Sequence, residues 1–170
     1  ITGQISGRVY SAAGQPYATA YQVKAGTPAQ VQMQDIASLG EQITLTAFDY
    51  PYAAAQPGQT LPITLTWMSR AGLDRDYTVF VHLSPAPGVP PIAQEDAQPC
   101  DNSYPTSWWS PGEIIQEERR IVIPLHTLPG QYVLTAGMYD LTTGQRLPVR
   151  STLPQTLADA IVLGQVRLAP

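Results

Sequence analysis

From residue 40 onward, apolar and polar positions alternate with a period of two. Ile43, Leu45 and Ala47 interleave with Thr44 and Thr46. Leu61, Ile63, Leu65 and Trp67 fall on one side of the next segment, and Thr64, Thr66 and Met68 on the other. Tyr77, Val79, Val81 and Leu83 repeat the pattern, with Thr78, Phe80 and His82 opposite. Alternation rich in β-branched residues predicts half-buried strands. Residues 132–140 form the clearest strand of the second half, closed by a turn sequence whose Gly144 suits a left-handed position. Further strands are predicted over 92–95, 114–117, 120–125 and 161–168, with one helical turn within 153–160. Residues 85–91 hold too many prolines for a central strand, and residues 97–112 read as a long loop. Pro-Gly pairs at 57–58, 87–88, 111–112 and 129–130 supply turns.

This spacing of about nine strands, with no helix of useful length, predicts an all-β fold. The expected architecture is an antiparallel two-sheet β-sandwich, immunoglobulin-like or jelly-roll-like. Residues 1–35 are less regular. A strand fits 4–10, a turn cluster 11–16 and an edge strand 21–24. They are expected to form an N-terminal arm adding edge strands to a sandwich domain over 36–170.

Composition narrows the function classes. Hydrophobic residues make up 44% of the chain, enough for a real core and too many for disorder. Charged residues are 13%, about half the usual share, and the net charge is −4 with Lys24 the only lysine. The absence of a basic patch argues against nucleic acid and anionic membrane surfaces as partners. No apolar run is long enough to make a membrane-spanning segment. Cys100 is the sole cysteine, so an internal disulfide is excluded and a bridge to another chain stays open. As a nucleophile it would need a base, and only His82 and His126 exist. The first residue is Ile rather than Met, as expected of a processed chain.

The densest candidate chemistry is YPTSWWSPGE, residues 104–113, which holds two of the three tryptophans in a Pro- and Gly-flanked loop. Indole rings stack on sugars or cap cores, and exposure decides which. Adjacent residues in extended chain point to opposite sides, so one of Trp108 and Trp109 is expected to face solvent. Near this loop, Gln94, Glu95, Asp96, Asp101 and Asn102 offer oxygen ligands of the kind calcium takes, with Asp96, Asp101 and Asn102 the candidates. EF-hand spacing is absent, and Asx turns at Asp96 and Asp101 explain the same residues. Glu113, Glu117, Glu118, Arg119 and Arg120 read as a solvated strand face. A glycosidase carboxylate pair would need a separation that sequence does not give. Zinc ligand sets, nucleophile elbows, phosphate loops and dinucleotide fingerprints are missing, so neither an enzyme nor a cofactor is expected.

LGEQITLTAFDYP, PGQTLPITLTW, DYTVFVHL, AQEDAQP, YPTSWWSPGE and GQYVLTAGMYDLTTGQRLPV mark a pattern that runs from about Leu39 to the end, roughly three quarters of the chain. In order and spacing they resemble a β-sandwich domain of bacteria. That domain occurs at the C-terminus of multi-pass membrane proteins of the mannosyltransferase-like glycosyltransferase class, and in related secreted proteins. The resemblance implies a non-enzymatic, extracytoplasmic accessory module of a larger cell-envelope protein, with a glycan or an envelope protein as partner. The alternative is a purely structural or oligomerising domain. In the family the Trp before the Pro-Gly-Glu turn recurs and its predecessor is usually polar. This implies a structural lid at Trp109 and a variable position at Trp108, so a binding role falls to Trp108 with Tyr104. Cys100, Asp101 and Asn102 stand where the family is usually Gly-rich.

Overall fold

The computed structural model describes residues 4–10, 16–22, 35–50, 54–155 and 157–169. The chain divides into two units, Ile1–Met33 and Gln34–Pro170. In the first, strands β1 (Gln4–Tyr10) and β2 (Pro16–Gln22) pair antiparallel, with Gln4 opposite Gln22. β2 begins earlier than the edge strand expected over 21–24. The turn residues 11–15, and Lys24, lie outside the described residues.

The second unit holds nine strands in two antiparallel sheets. These are β3 (Ala37–Leu39), β4 (Ile43–Asp49), β5 (Thr60–Ser69), β6 (Tyr77–Ser84), β7 (Ala93–Ala97), β8 (Ile114–Val122), β9 (Gly130–Asp140), β10 (Val149–Ser151) and β11 (Ile161–Leu168). The first sheet runs β10-β3-β4-β5-β8 and the second β11-β9-β6-β7. The fold is the expected β-sandwich.

Alternation explains how the sheets meet. On β5, Leu61, Ile63, Leu65 and Trp67 are all buried. They join Ile43 and Leu45 of β4, Val79, Val81 and Leu83 of β6, and Leu134, Ala136 and Met138 of β9 in one core. Each such aliphatic side chain contributes about 1.5–3 kcal/mol by leaving water. Phe80 points away from this core yet is also buried. Gly137 on the neighbouring strand leaves room for its ring, where any Cβ would collide with it, and the Arg146 guanidinium lies 4.3 Å above the ring centroid.

Three local expectations are corrected. β8 is one unbroken strand across residues 114–122, although the charged run had suggested a break after Glu117. β3 and β10 are additional, three residues each. Among the described residues of 153–160 the chain bends without forming a helical turn.

Candidate functional site

β7 belongs to one sheet and β8 to the other, so residues 98–113 must cross between them. The loop starts with an unusual turn. Cys100, Asp101 and Asn102 have φ of 54°, 54° and 63°, three consecutive non-glycine residues in the left-handed region. Left-handed backbone costs an L-residue roughly 1–2 kcal/mol, less for Asn and Asp. Here hydrogen bonds hold the turn. The Gln98 N–H donates to Asn102 Oδ1 (2.9 Å), the Asn102 N–H to the Gln98 carbonyl (3.1 Å) and the Cys100 N–H to Glu117 Oε2 (3.0 Å).

Glu117 overturns the expectation of a solvated face. Glu117 and Arg119 are 4% and 1% exposed, pointing inward beside Ile115 and Ile121, while Gln116, Glu118 and Arg120 point out. The period of two on β8 places them there, because the charged pair falls in step with the isoleucines. The carboxylate and the two terminal guanidinium nitrogens have several partners, while Arg119 Nε has none among the described residues. The Trp67 indole N–H donates to Glu117 Oε1 at 2.7 Å, and Arg119 Nη2 reaches Glu117 Oε2 at 2.7 Å. Arg119 also donates to the carbonyls of Ala97 and Gln98, both at 3.2 Å, and to Glu95 at 3.2 and 3.3 Å. One guanidinium therefore ties β8 to the end of β7 at the foot of the loop. Burial raises the Glu95 carboxyl above its usual range, against the pull of Arg119.

The middle of the loop is set by Thr106, which is wholly buried. Its Oγ1 accepts the Tyr77 N–H and its hydroxyl donates to the Arg75 carbonyl, both at 2.9 Å. The Ser107 N–H donates to Asp76 Oδ1 at 3.1 Å. A short 3₁₀ turn over Thr106–Trp108 follows, and Trp109 returns to extended backbone with φ −71° and ψ 131°. This change of conformation separates the indoles: Trp108 is 65% exposed and Trp109 is 2% exposed. The Trp109 indole N–H donates to the Tyr104 carbonyl at 3.3 Å.

Tyr104 is half-buried beside them. Its hydroxyl donates to Glu113 Oε1 at 2.7 Å, and Glu113 Oε2 accepts the Ser110 N–H at 2.8 Å. Burial and the Glu113 carboxylate push the phenol up to about 12. Its ring meets Trp108 edge to face, with centroids 6.3 Å apart and planes at 75°. Trp108 thus presents an open indole face on a loop fixed at several points by hydrogen bonds.

The other sequence candidates are placed differently. The structure does not gather Asp96, Asp101 and Asn102 into a calcium site. Asp96 Oδ1 lies 3.1 Å from His82 Nε2, Asn102 closes the left-handed turn, and Asp101 is exposed. Among the described residues, no three His, Cys, Asp or Glu side chains converge as metal ligands. The Cys100 thiol is pushed up to about 11, chiefly by burial and then by Glu117, which makes it a poor nucleophile. A separate shallow groove of about 410 Å³ is lined by Pro87, Val133, Pro154, Gln155, Leu157, Val162 and Gln165, without an ionisable group. Sequence reasoning missed Thr106 and Asp76, whose roles arise only when residues 75–77 meet the loop. It also missed the Glu117–Arg119 pair, for which the alternation of β8 was a usable signal.

No protein-family model matches the chain, and no curated protein matches it. Among solved structures it is similar to the crystal structure of the C-terminal domain of Wzt. The superposition has a TM-score of 0.51 at 11% sequence identity and covers 81% of this chain and 79% of that one. The two share a fold. At that identity the likeness to the Wzt domain carries the β-sandwich and no particular side chain.

Proposed function

We propose that this chain is a non-catalytic, extracytoplasmic accessory module of a cell-envelope protein, and that it binds carbohydrate through Trp108 and Tyr104. The observation that carries the reading is the 65% exposure of Trp108 on a loop whose backbone is fixed by Thr106, Asp76 and Glu113. An exposed indole leaves a large apolar face in water, where covering it with the C–H face of a sugar ring is favourable. A ring already held in place loses little conformational freedom on binding. The accessory role is supported by the sequence resemblance and by the likeness to a domain that is itself the C-terminal part of Wzt. Trp108→Ala is expected to abolish binding on a broad glycan panel while leaving the melting temperature unchanged. A wild-type protein that binds nothing on such a panel overturns the reading.

One observation favours a second reading, an oligomerising domain. Val122, the last residue of β8, and Leu125 and Leu128 in the connection to β9 fall within a seven-residue stretch, and all three are exposed. Light scattering of the whole chain discriminates: a dimer that Leu125→Ser with Leu128→Ser converts to monomer supports this reading, and a monomeric wild type rules it out.

A further inference from the structure

Resting on the carbohydrate reading of the Trp108 loop, we infer that this site selects saccharides bearing a free amine over neutral or acidic ones, and that Asp76 is the selecting residue. The Ser107 N–H donates to Asp76 Oδ1 at 3.1 Å, which fixes a carboxylate against the residue immediately before the exposed indole. Asp76 is exposed, and among the described residues it forms no ion pair. The nearest cation in sequence, Arg75, is occupied: it lies 3.0 Å from Asp140 and 3.4 Å from Asp74. Of the loop's own two carboxylates, Glu113 is engaged by the Tyr104 hydroxyl and the Ser110 N–H, and Asp101 lies in the left-handed turn at the start of the loop, away in sequence from Trp108. Asp76 is therefore the carboxylate beside Trp108 whose charge is left for a ligand.

The indole face acts in the same direction, because its quadrupole attracts cations and Trp is the strongest of the aromatic side chains in this respect. A sugar stacked on Trp108 with an ammonium group toward Asp76 satisfies both groups. A uronic acid or phosphorylated sugar in that position meets a like charge, and the chain's net charge of −4 opposes its approach.

The test compares short glucosamine oligomers, whose amines are free, with the matching N-acetylglucosamine oligomers, whose amines are capped. Calorimetry at a pH below the sugar amine's pKa measures wild type, Asp76→Asn and Trp108→Ala. Asn keeps an Oδ1 acceptor for the Ser107 N–H and removes only the charge. Wild type is expected to favour the free amine by about threefold or more, the scale of an exposed charge pair, and to lose that preference as salt is raised. Asp76→Asn is expected to bind both oligomers equally, and Trp108→Ala to bind neither. Equal affinity of wild type for the two oligomers, or a preference that survives in Asp76→Asn, overturns the selection by Asp76 and leaves the indole platform standing. If wild type does not bind the free-amine oligomer, the inference is overturned, and the glycan panel alone then decides the platform.

Discussion

At the scale of single residues, the loop combines strain with tight hydrogen bonding. Asp101 is exposed with φ 54° and ψ 50°, and its side chain is not used to hold the turn. Glycine there relieves the backbone, partly offset by the greater entropy it loses on folding. Asp101→Gly is therefore expected to stabilise the protein by about 0.5 kcal/mol, whereas the β-branched Asp101→Val should cost on the order of 1–2 kcal/mol. Urea denaturation midpoints in the order Gly, Asp, Val check this, and a stabilising Val would mean that the left-handed turn is not populated in solution. Tyr104 supplies a pH signature. Its phenol titrates near 10 when unfolded and near 12 in the fold. Between those values the unfolded chain releases a proton that the folded chain keeps, so stability is full below pH 10 and falls as pH rises toward 12. Tyr104→Phe should flatten that part of the stability–pH curve. Sequence carried part of this site. Adjacency separates two neighbouring tryptophans only in extended chain, whereas here a 3₁₀ turn precedes Trp109. The Thr106 contacts that fix the turn reach back to Arg75 and Tyr77, about thirty positions away.

At the scale of elements, β8 shows periodicity prevailing over charge. Its alternation is continuous through Ile115, Glu117, Arg119 and Ile121, and the register with β5 is unbroken, with Glu117 opposite Leu65 and Arg119 opposite Ile63. Reading the charged run as solvated broke a pattern that the strand in fact keeps. Two charges survive in this layer because they are paired and bonded on several sides, by Trp67, Glu95 and the Ala97 and Gln98 carbonyls. Removing one partner leaves the other buried and unmatched, so Arg119→Ala is expected to cost about 3–5 kcal/mol. Glu117→Gln with Arg119→Met removes both charges, keeps an acceptor for the Trp67 N–H, and should cost much less than the single change. Equal losses for the two variants in chemical denaturation would mean that the packing of the side chains matters and their charge does not. The short strands β3 and β10 escaped the sequence for the opposite reason. Three residues span barely more than one period, and their pairing, Leu39 with Val149, joins segments more than a hundred positions apart.

At the scale of the whole molecule, long-range pairing dominates the second unit. β3 meets β10 and β6 meets β9 across long stretches of chain, a topology expected to fold in milliseconds to seconds. The buried core from Ala37 to Leu168 lies in Gln34–Pro170. Each of the nine strands there finds its ladder partners inside that unit. Among the described residues the first unit holds one antiparallel strand pair, and two strands by themselves are at best marginally stable in water. A polypeptide of residues 34–170 is therefore expected to unfold in one cooperative step at the midpoint of the whole chain, with the same near-ultraviolet signal from its tryptophans, all three of which lie in this unit. A lower midpoint for the 34–170 polypeptide would instead assign the strand pair a share of the stability, and loss of the near-ultraviolet signal would mean that the core needs residues before 34. If Trp108 binds glycan, the same polypeptide is expected to retain it, because the contacts described for the aromatic loop come from residues after 34.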